Sequence, residues 1–220
     1  MMDKKIDELN ETILAWWQKL PNQFKSNYPA LIHDLNKEAE ILFVGLNPAG
    51  REYLAIPDEN ISKDKIKEIK DKEKVAIFGE GKDRKGQYKN YYGLLSNIAD
   101  ELEVSYEHYD LFHMIYSPSE EVLKEIFKHK SKKELKANHC EHLKVFDEVL
   151  KIVKPKVVIT NNINTANILK EYLELKLDNE TLMYKVKTDR YYYLSGIMSY
   201  GRQTEYDRER LMGLVKKVLK

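Results

Sequence analysis

Ile41-Leu42-Phe43-Val44-Gly45-Leu46-Asn47-Pro48-Ala49-Gly50 is a continuous apolar run that ends in a glycine, an asparagine and a proline. Apolar residues without polar alternation predict a strand buried on both faces, as in a parallel sheet covered by helices. Gly45 and Asn47-Pro48 predict the turn that closes it.

Working outward, Ile6, Leu9, Ile13, Trp16 and Leu20 recur at spacings of three and four, which predicts a helix stopped by Pro21, with its tryptophans in the core. A short apolar stretch runs from Tyr28 to Leu35. Residues 58–75 alternate Lys, Asp and Glu with few apolar positions and read as a solvated helix or surface excursion. The loop Gly79-Glu80-Gly81-Lys82-Asp83-Arg84-Lys85-Gly86 lacks the Gly-Lys-Ser/Thr ending of a phosphate-cradling loop, so no nucleotide site is expected there.

Leu94, Leu95, Ile98 and Leu102 predict a helix, and Tyr109 to Ile115 a second strand. Ser117-Pro118-Ser119 opens another helix. Ser131 with Glu134 has the form of a capping box, which predicts a helix from there through Leu135, Leu143, Phe146, Leu150 and Val153 to a stop at Pro155. Val157-Val158-Ile159 is a third strand, followed by a helix with Ala166, Ile168, Leu169 and Leu173. Leu182 to Val186 and Tyr191 to Leu194 are further strands, and a last helix starts near Thr204.

Strands alternating with helices imply an α/β fold, a three-layer α/β/α sandwich around a mainly parallel central sheet. The expectation is a single domain over residues 1–220 with an N-terminal helical extension to about residue 37. Ligands of such sheets sit outside the carboxyl ends of the strands. That rule nominates Asn47, His113, Asn161 and the segment after Leu194.

The chain has 220 residues, 42% hydrophobic and 33% charged, with 37 Lys and Arg against 36 Asp and Glu. A net charge of +1 neither demands a nucleic-acid partner nor excludes one, because a local basic stripe can coexist with an acidic remainder. Cys140 is the only cysteine, which excludes an intramolecular disulfide, a four-cysteine zinc site and a cysteine-ligated iron–sulfur cluster. The amino terminus lacks an apolar h-region and no apolar run reaches membrane-spanning length, so a soluble cytoplasmic protein is expected.

Ile41 to Pro48 resembles the first signature of the uracil-DNA glycosylase superfamily, a strand followed by Gly-x-Asn-Pro or Gly-x-Asp-Pro. Cys140-Glu141-His142-Leu143 through Lys154-Pro155-Lys156-Val157-Val158-Ile159 resembles that superfamily's helix and third strand. Tyr109 to Ser117 sits where its members place their second strand. Leu194-Ser195-Gly196-Ile197-Met198-Ser199 is similar to the Pro-Ser-Gly-Leu-Ser form of the second signature, found in the mismatch-specific uracil and thymine glycosylase branch. These pieces span roughly residues 39–219 and together imply a uracil-DNA-glycosylase-like fold. As an isolated match, Gly-Leu-Asn-Pro is also an ordinary strand-to-turn sequence.

The resemblance implies a DNA N-glycosylase of base excision repair, a hydrolase cleaving uracil or a mismatched pyrimidine from DNA. The target nucleotide would be flipped into a pocket formed by Gly45, Leu46, Pro48, Ala49, Gly50 and His113. Cleavage builds positive charge on the sugar and negative charge on the departing base while water adds. The carbonyl of Asn47 is suited to hold that water in line with the anomeric carbon. Backbone N–H groups beyond Pro48 would meet the base edge. No metal or other cofactor is required. Ile197 and Met198 would fill the vacated stack, with Ser195, Gly196, Ser199 and Arg202 at the DNA backbone; the alternative for Ile197 and Met198 is that they are packed loop residues.

The chain departs from the superfamily in three places. The second signature contains no histidine to stabilise the departing base, a feature it shares with the mismatch-specific branch. Leu194 replaces the proline of that signature. His113 falls where an asparagine commonly reads the uracil edge, with Tyr116 nearby, and a neutral imidazole can both donate and accept; the alternative is a satisfied core histidine. Cys140 resembles a ligand of the iron–sulfur branch but, standing alone, is expected in a helix core. His139, Cys140 and His142 are spaced poorly for a tetrahedral ion, so no metal site is expected. Tyr53, Tyr88, Tyr91 and Tyr92 beside Lys85 and Lys89 offer base-stacking platforms or simply a solvated loop. Two other functions stay open: a non-catalytic nucleic-acid binder of the same fold, and a hydrolase of free nucleoside-like molecules.

Overall fold

The structure is a computed structural model that describes residues 2–25, 29–32, 35–48, 65, 68, 89–115, 119–128, 134–186, 190–197 and 204–219. Helices are α1 (Met2–Gln18), α2 (Lys89–Leu102), α3 (Ser119–Ile126), α4 (Ala137–Val153), α5 (Ile163–Tyr172) and α6 (Glu205–Leu219). Strands are β1 (Ile41–Gly45), β2 (Tyr106–Asp110), β3 (Val157–Thr160), β4 (Lys176–Leu177), β5 (Tyr184–Lys185) and β6 (Tyr191–Tyr193). The chain divides into two compact units. One comprises Met1–Leu35, Asn47–Lys89 and Phe112–Glu148; the other comprises Asn36–Leu46, Asn90–Leu111 and Val149–Lys220.

The second unit holds a six-stranded sheet in the order β2-β1-β3-β6-β5-β4. β1 runs parallel to β2 and β3, and β3 runs parallel to β6; the β5 and β4 hairpin adds antiparallel pairing at one edge. Ile41, Phe43, Val157 and Ile159 form one face and share a core with Leu95 and Ile98 of α2 and Leu211, Met212 and Val215 of α6. The alternate residues Leu42, Val44 and Val158 are fully buried too. A strand buried on both faces loses all its apolar surface to the core, at about 25 cal/mol per Å², which explains why β1 and β3 read as unbroken apolar runs. The protein is therefore mixed α/β, with a mainly parallel sheet flanked by helices, consistent with a three-layer arrangement. Among the described residues no helix is long and apolar enough to cross a membrane.

β1 lies between β2 and β3 although it precedes both in sequence. The chain thus turns to opposite sides after β1 and after β3, and their adjacent carboxyl ends form a topological switch point. Asn161 N–H donates to the Val44 carbonyl at 2.8 Å across that point.

The first unit is built around α1. Ile13, Trp16 and Trp17 are buried, as the helical stripe predicts. The Asn10 side chain accepts from Ile32 N–H at 2.8 Å and donates to the Ile32 carbonyl at 3.1 Å, fixing the segment that follows the helix.

Several boundaries differ from expectation. β2 covers Tyr106–Asp110 rather than Tyr109 to Ile115. An edge strand is paired on one side only and tolerates polar residues such as Glu107 and His108. The apolar residues Leu111 to Met114 are buried after leaving the sheet, so their hydrophobicity reports burial and not pairing. α4 begins at Ala137, not at Ser131, because Leu135 bridges Phe127 and Lys136 N–H donates to the Ile126 carbonyl, which holds residues 134–136 extended. Ser131 lies outside the described residues. Cys140 is exposed rather than in a helix core, since His139, Leu143 and Phe146 define the inward stripe of α4. Leu182, expected to start a strand, is exposed with φ of 58° in the turn before β5. The charged stretch 58–75, apart from Lys65 and Glu68, and the loop 79–86 also fall outside the described residues.

Candidate active site

The loop after β1 begins in the second unit. Gly45 is in register with Asp110, and its carbonyl accepts from Leu111 N–H at 3.1 Å; Leu46 is buried beyond it. Asn47 and Pro48 belong to the first unit and are partly buried. The amide nitrogen of Asn47 donates to the carbonyls of Pro48 and Met114, each at 3.1 Å. Those two acceptors settle which end of the amide is nitrogen, so Oδ1 is fixed as its accepting end. Ala49 and Gly50 lie outside the described residues.

Asn47 is in this way tied to the residue next to His113. His113 is 4% exposed, its carbonyl accepts from Ala30 N–H at 3.0 Å, and its Nδ1 lies 2.9 Å from Nε2 of His142. His142 is 2% exposed and stacks on Trp16 with ring centroids 3.8 Å apart and planes 15° from parallel. His139 meets the Trp16 edge, and its Nε2 lies 3.2 Å from a Glu125 oxygen; Lys136 holds the other Glu125 oxygen at 3.0 Å. Burial pushes His113 down to about 3. It lowers His142 well below the usual imidazole range, helped by His113 and His139, and lowers His139 against the opposing pull of Glu125. At neutral pH this cluster is uncharged and works through hydrogen bonds.

The loop after β6 belongs to the second unit. Ser195 N–H donates to Thr160 Oγ1 at 2.8 Å, and that hydroxyl donates to the Ser195 carbonyl at 2.8 Å, pinning the loop to the end of β3. Gly196 follows in the same segment. Ile197 is 3% exposed in the sheet's core cluster, so it is a packed core residue and not a side chain presented to a DNA stack. A side chain this apolar gains more from burial than from display. Met198, Ser199 and Arg202 lie outside the described residues, as do Tyr116, Tyr53, Tyr88 and Lys85.

Two features escaped the sequence reading. Asp110 closes β2 opposite Gly45, with one oxygen 3.8 Å from Nε2 of His108; burial pushes the carboxyl up to about 7 and His108 down to about 3. The strand-end rule would have found Asp110 had the strand been ended correctly. The other is the contact of His142 with His113, for which the local sequence around His142 carries no sign. Among the described residues no group of three or more His, Cys, Asp or Glu is arranged to hold a metal ion.

A groove of about 400 Å³ lies between α1 and α4, lined by Leu9, Thr12, Trp16, His142 and Val145, away from Asn47. Its position follows helix packing and not the strand ends, and nothing in the chemistry of Asn47 depends on it. No protein-family model matches the chain, and no curated protein matches it significantly.

Proposed function

We propose that the protein is a divergent member of the uracil-DNA glycosylase superfamily that hydrolyses the N-glycosidic bond of uracil or a mismatched pyrimidine flipped out of DNA. Asn47 positions the attacking water through its carbonyl, and His113 meets the pyrimidine edge. The observation that carries this reading is the bond from Asn47 to the Met114 carbonyl at 3.1 Å, which joins the loop nominated by the first signature to the residue beside His113. A water-holding amide must not rotate, and the two carbonyl acceptors oppose rotation. The neutral imidazole suits a base edge, because a charged one would need a counter-charge in a buried pocket.

The test is a panel of single-stranded and duplex oligonucleotides carrying uracil or mismatched pyrimidines, read by alkaline strand scission. Release of a pyrimidine by the wild type, falling at least about a hundredfold in Asn47→Ala, is the expected result, since positioning terms of this kind are worth several kcal/mol. Full activity in Asn47→Ala would refute the assigned role.

A second reading is favoured by the burial of Ile197 and the lack of a histidine in the second signature: a binder that keeps the pocket without releasing the base. It forecasts affinity that falls with salt and no strand scission.

A further inference from the structure

The two edges of the sheet are finished differently. At β2, the Asn36 side-chain amide donates to the Tyr106 carbonyl at 3.3 Å and Glu107 accepts from Asn36 N–H at 2.7 Å, so residue 36 covers that edge. At β4, Lys176 and Leu177 are both exposed. β4 pairs with β5 alone, with Lys176 opposite Lys185 and Leu177 opposite Tyr184. Asp178 continues that ladder, its N–H donating to the Met183 carbonyl at 2.8 Å. Backbone groups alternate sides along an antiparallel ladder, so with Asp178 facing β5 the N–H and C=O of Leu177 face outward. A strand that ends a sheet in this way is a template for another strand.

Side-chain rows across the sheet show which strand fits. One face carries the row Leu42, Val158, Tyr192, Tyr184 and Leu177, each opposite the next. Leu42 and Val158 are fully buried, Tyr192 is 1% exposed, and Lys170 of α5 lies over the Tyr184 ring at 5.2 Å. Leu177 ends the row at 50% exposure, and Leu182 in the adjoining turn is 52% exposed, so two large apolar side chains stand uncovered on one hairpin. On the other face Lys176 stands directly opposite Lys185, a position in which like charges repel. Lys185 is matched by Asp178 at 3.1 Å, whereas Lys176 has no ion pair among the described residues.

We propose that β4 is a self-association edge, on which two copies of this chain pair antiparallel about a twofold axis at Leu177 and join their sheets. The axis sets Leu177 against Leu177 of the second copy, with two backbone hydrogen bonds between them, and carries the apolar row across both sheets. One step from the axis, Lys176 stands directly opposite Asp178 of the second copy, and the symmetry repeats that pair. The Asp178 carboxylate is held in place by Lys185 and by the Thr181 hydroxyl at 2.6 Å. Lysine on an edge strand opposes pairing with a like-charged edge, but Asp178 two residues on makes this edge complementary to itself. A second copy, unlike an arbitrary strand, brings that charge pattern with it.

Sedimentation equilibrium of the full chain at low salt tests it. The mass is expected to rise with concentration from that of one chain towards that of two. The association is expected to be weak, because so short an edge buries less than the roughly 1,200 Å² at which stable interfaces begin. Lys176→Glu sets acid against acid at both symmetric positions and is expected to raise the dissociation constant about tenfold. Leu177→Pro removes the outward N–H, which an edge strand tolerates, and is expected to leave a monomer. Circular dichroism of each variant separates lost association from lost folding, and the exposed Lys176 carries the test if the proline variant does not fold. A wild type that keeps the mass of one chain up to about 1 mM protein overturns the proposal, whatever extended peptide the edge accepts. So does a dimer that Lys176→Glu leaves equally tight, since the two copies would then meet elsewhere.

Discussion

The two units differ in which buried polar atoms lack a hydrogen-bond partner among the described residues. In the sheet unit, Thr160 is fully buried, yet its hydroxyl both donates to and accepts from Ser195, so the polar atom locks a loop. In the α1 unit, Trp16 Nε1, Trp17 Nε1, His139 Nδ1 and His142 Nδ1 are buried without a hydrogen-bond partner among the described residues. The hydroxyls of Thr165 and Ser195 share that condition in the sheet unit, but a hydroxyl rotates and a ring nitrogen does not. Aromatic stacking compensates the ring nitrogens in part, at about 0.5–1.5 kcal/mol per pair. The sheet unit is organised for stability, and the ring cluster carries polar cost of the kind found where a structure holds chemistry ready.

The largest expected effect tests the first half of that contrast. Phe43 is fully buried in the centre of β1, against Tyr106 at 5.6 Å and among the side chains of α2 and α6. Phe43→Ala is expected to lower unfolding free energy by about 3–5 kcal/mol in urea titrations. A loss under about 1 kcal/mol would mean the sheet core is not the main support, and the contrast would collapse.

Acid and base separate Asp110 from the ring cluster. His113, His139 and His142 are all lowered by burial, His113 to about 3, whereas the unfolded chain takes protons at the ordinary 6.5. Their stabilising contribution is complete above 6.5 and is lost as pH falls below it. Asp110 in the sheet unit runs the other way: raised to about 7 from 3.8, it contributes most below 3.8 and loses that contribution as pH rises through 7. Its neighbour His108, lowered to about 3, follows the histidine rule. Asp110→Asn is therefore expected to stabilise the protein at pH 8, by on the order of 2–3 kcal/mol, and to change little at pH 4. Urea midpoints measured at both values decide it; equal shifts at the two would remove Asp110 from the comparison.

What the sequence made legible follows the same division. Ile41 to Val44 and Val157 to Ile159 announced themselves because a strand buried on both faces has no polar positions. α1 was readable from its three-and-four spacing. β2 was misplaced because hydrophobicity marks burial, and Leu111 to Met114 are buried outside any strand. Of the site, Asn47 and His113 were found by their position after apolar runs. The contact between His113 and His142 was not, because His142 lies on a helix 29 residues further along the chain and no local pattern encodes a tertiary pair. Asp110 hid inside the misplaced strand.

The smallest effect is the sharpest control. Asn162 caps α5, its side-chain oxygen accepting from Thr165 N–H at 2.9 Å, in the unit that holds the sheet. Asn162→Ala is expected to cost about 1 kcal/mol, because one orphan donor of the first helical turn loses its partner. If the units divide stability and hydrogen-bond chemistry as argued, that loss arrives with the His113 nitrogen-15 signals unmoved. A moved His113 signal would show that the cap's strain reaches the ring cluster, and the assignment of separate tasks to the two units would have to be withdrawn.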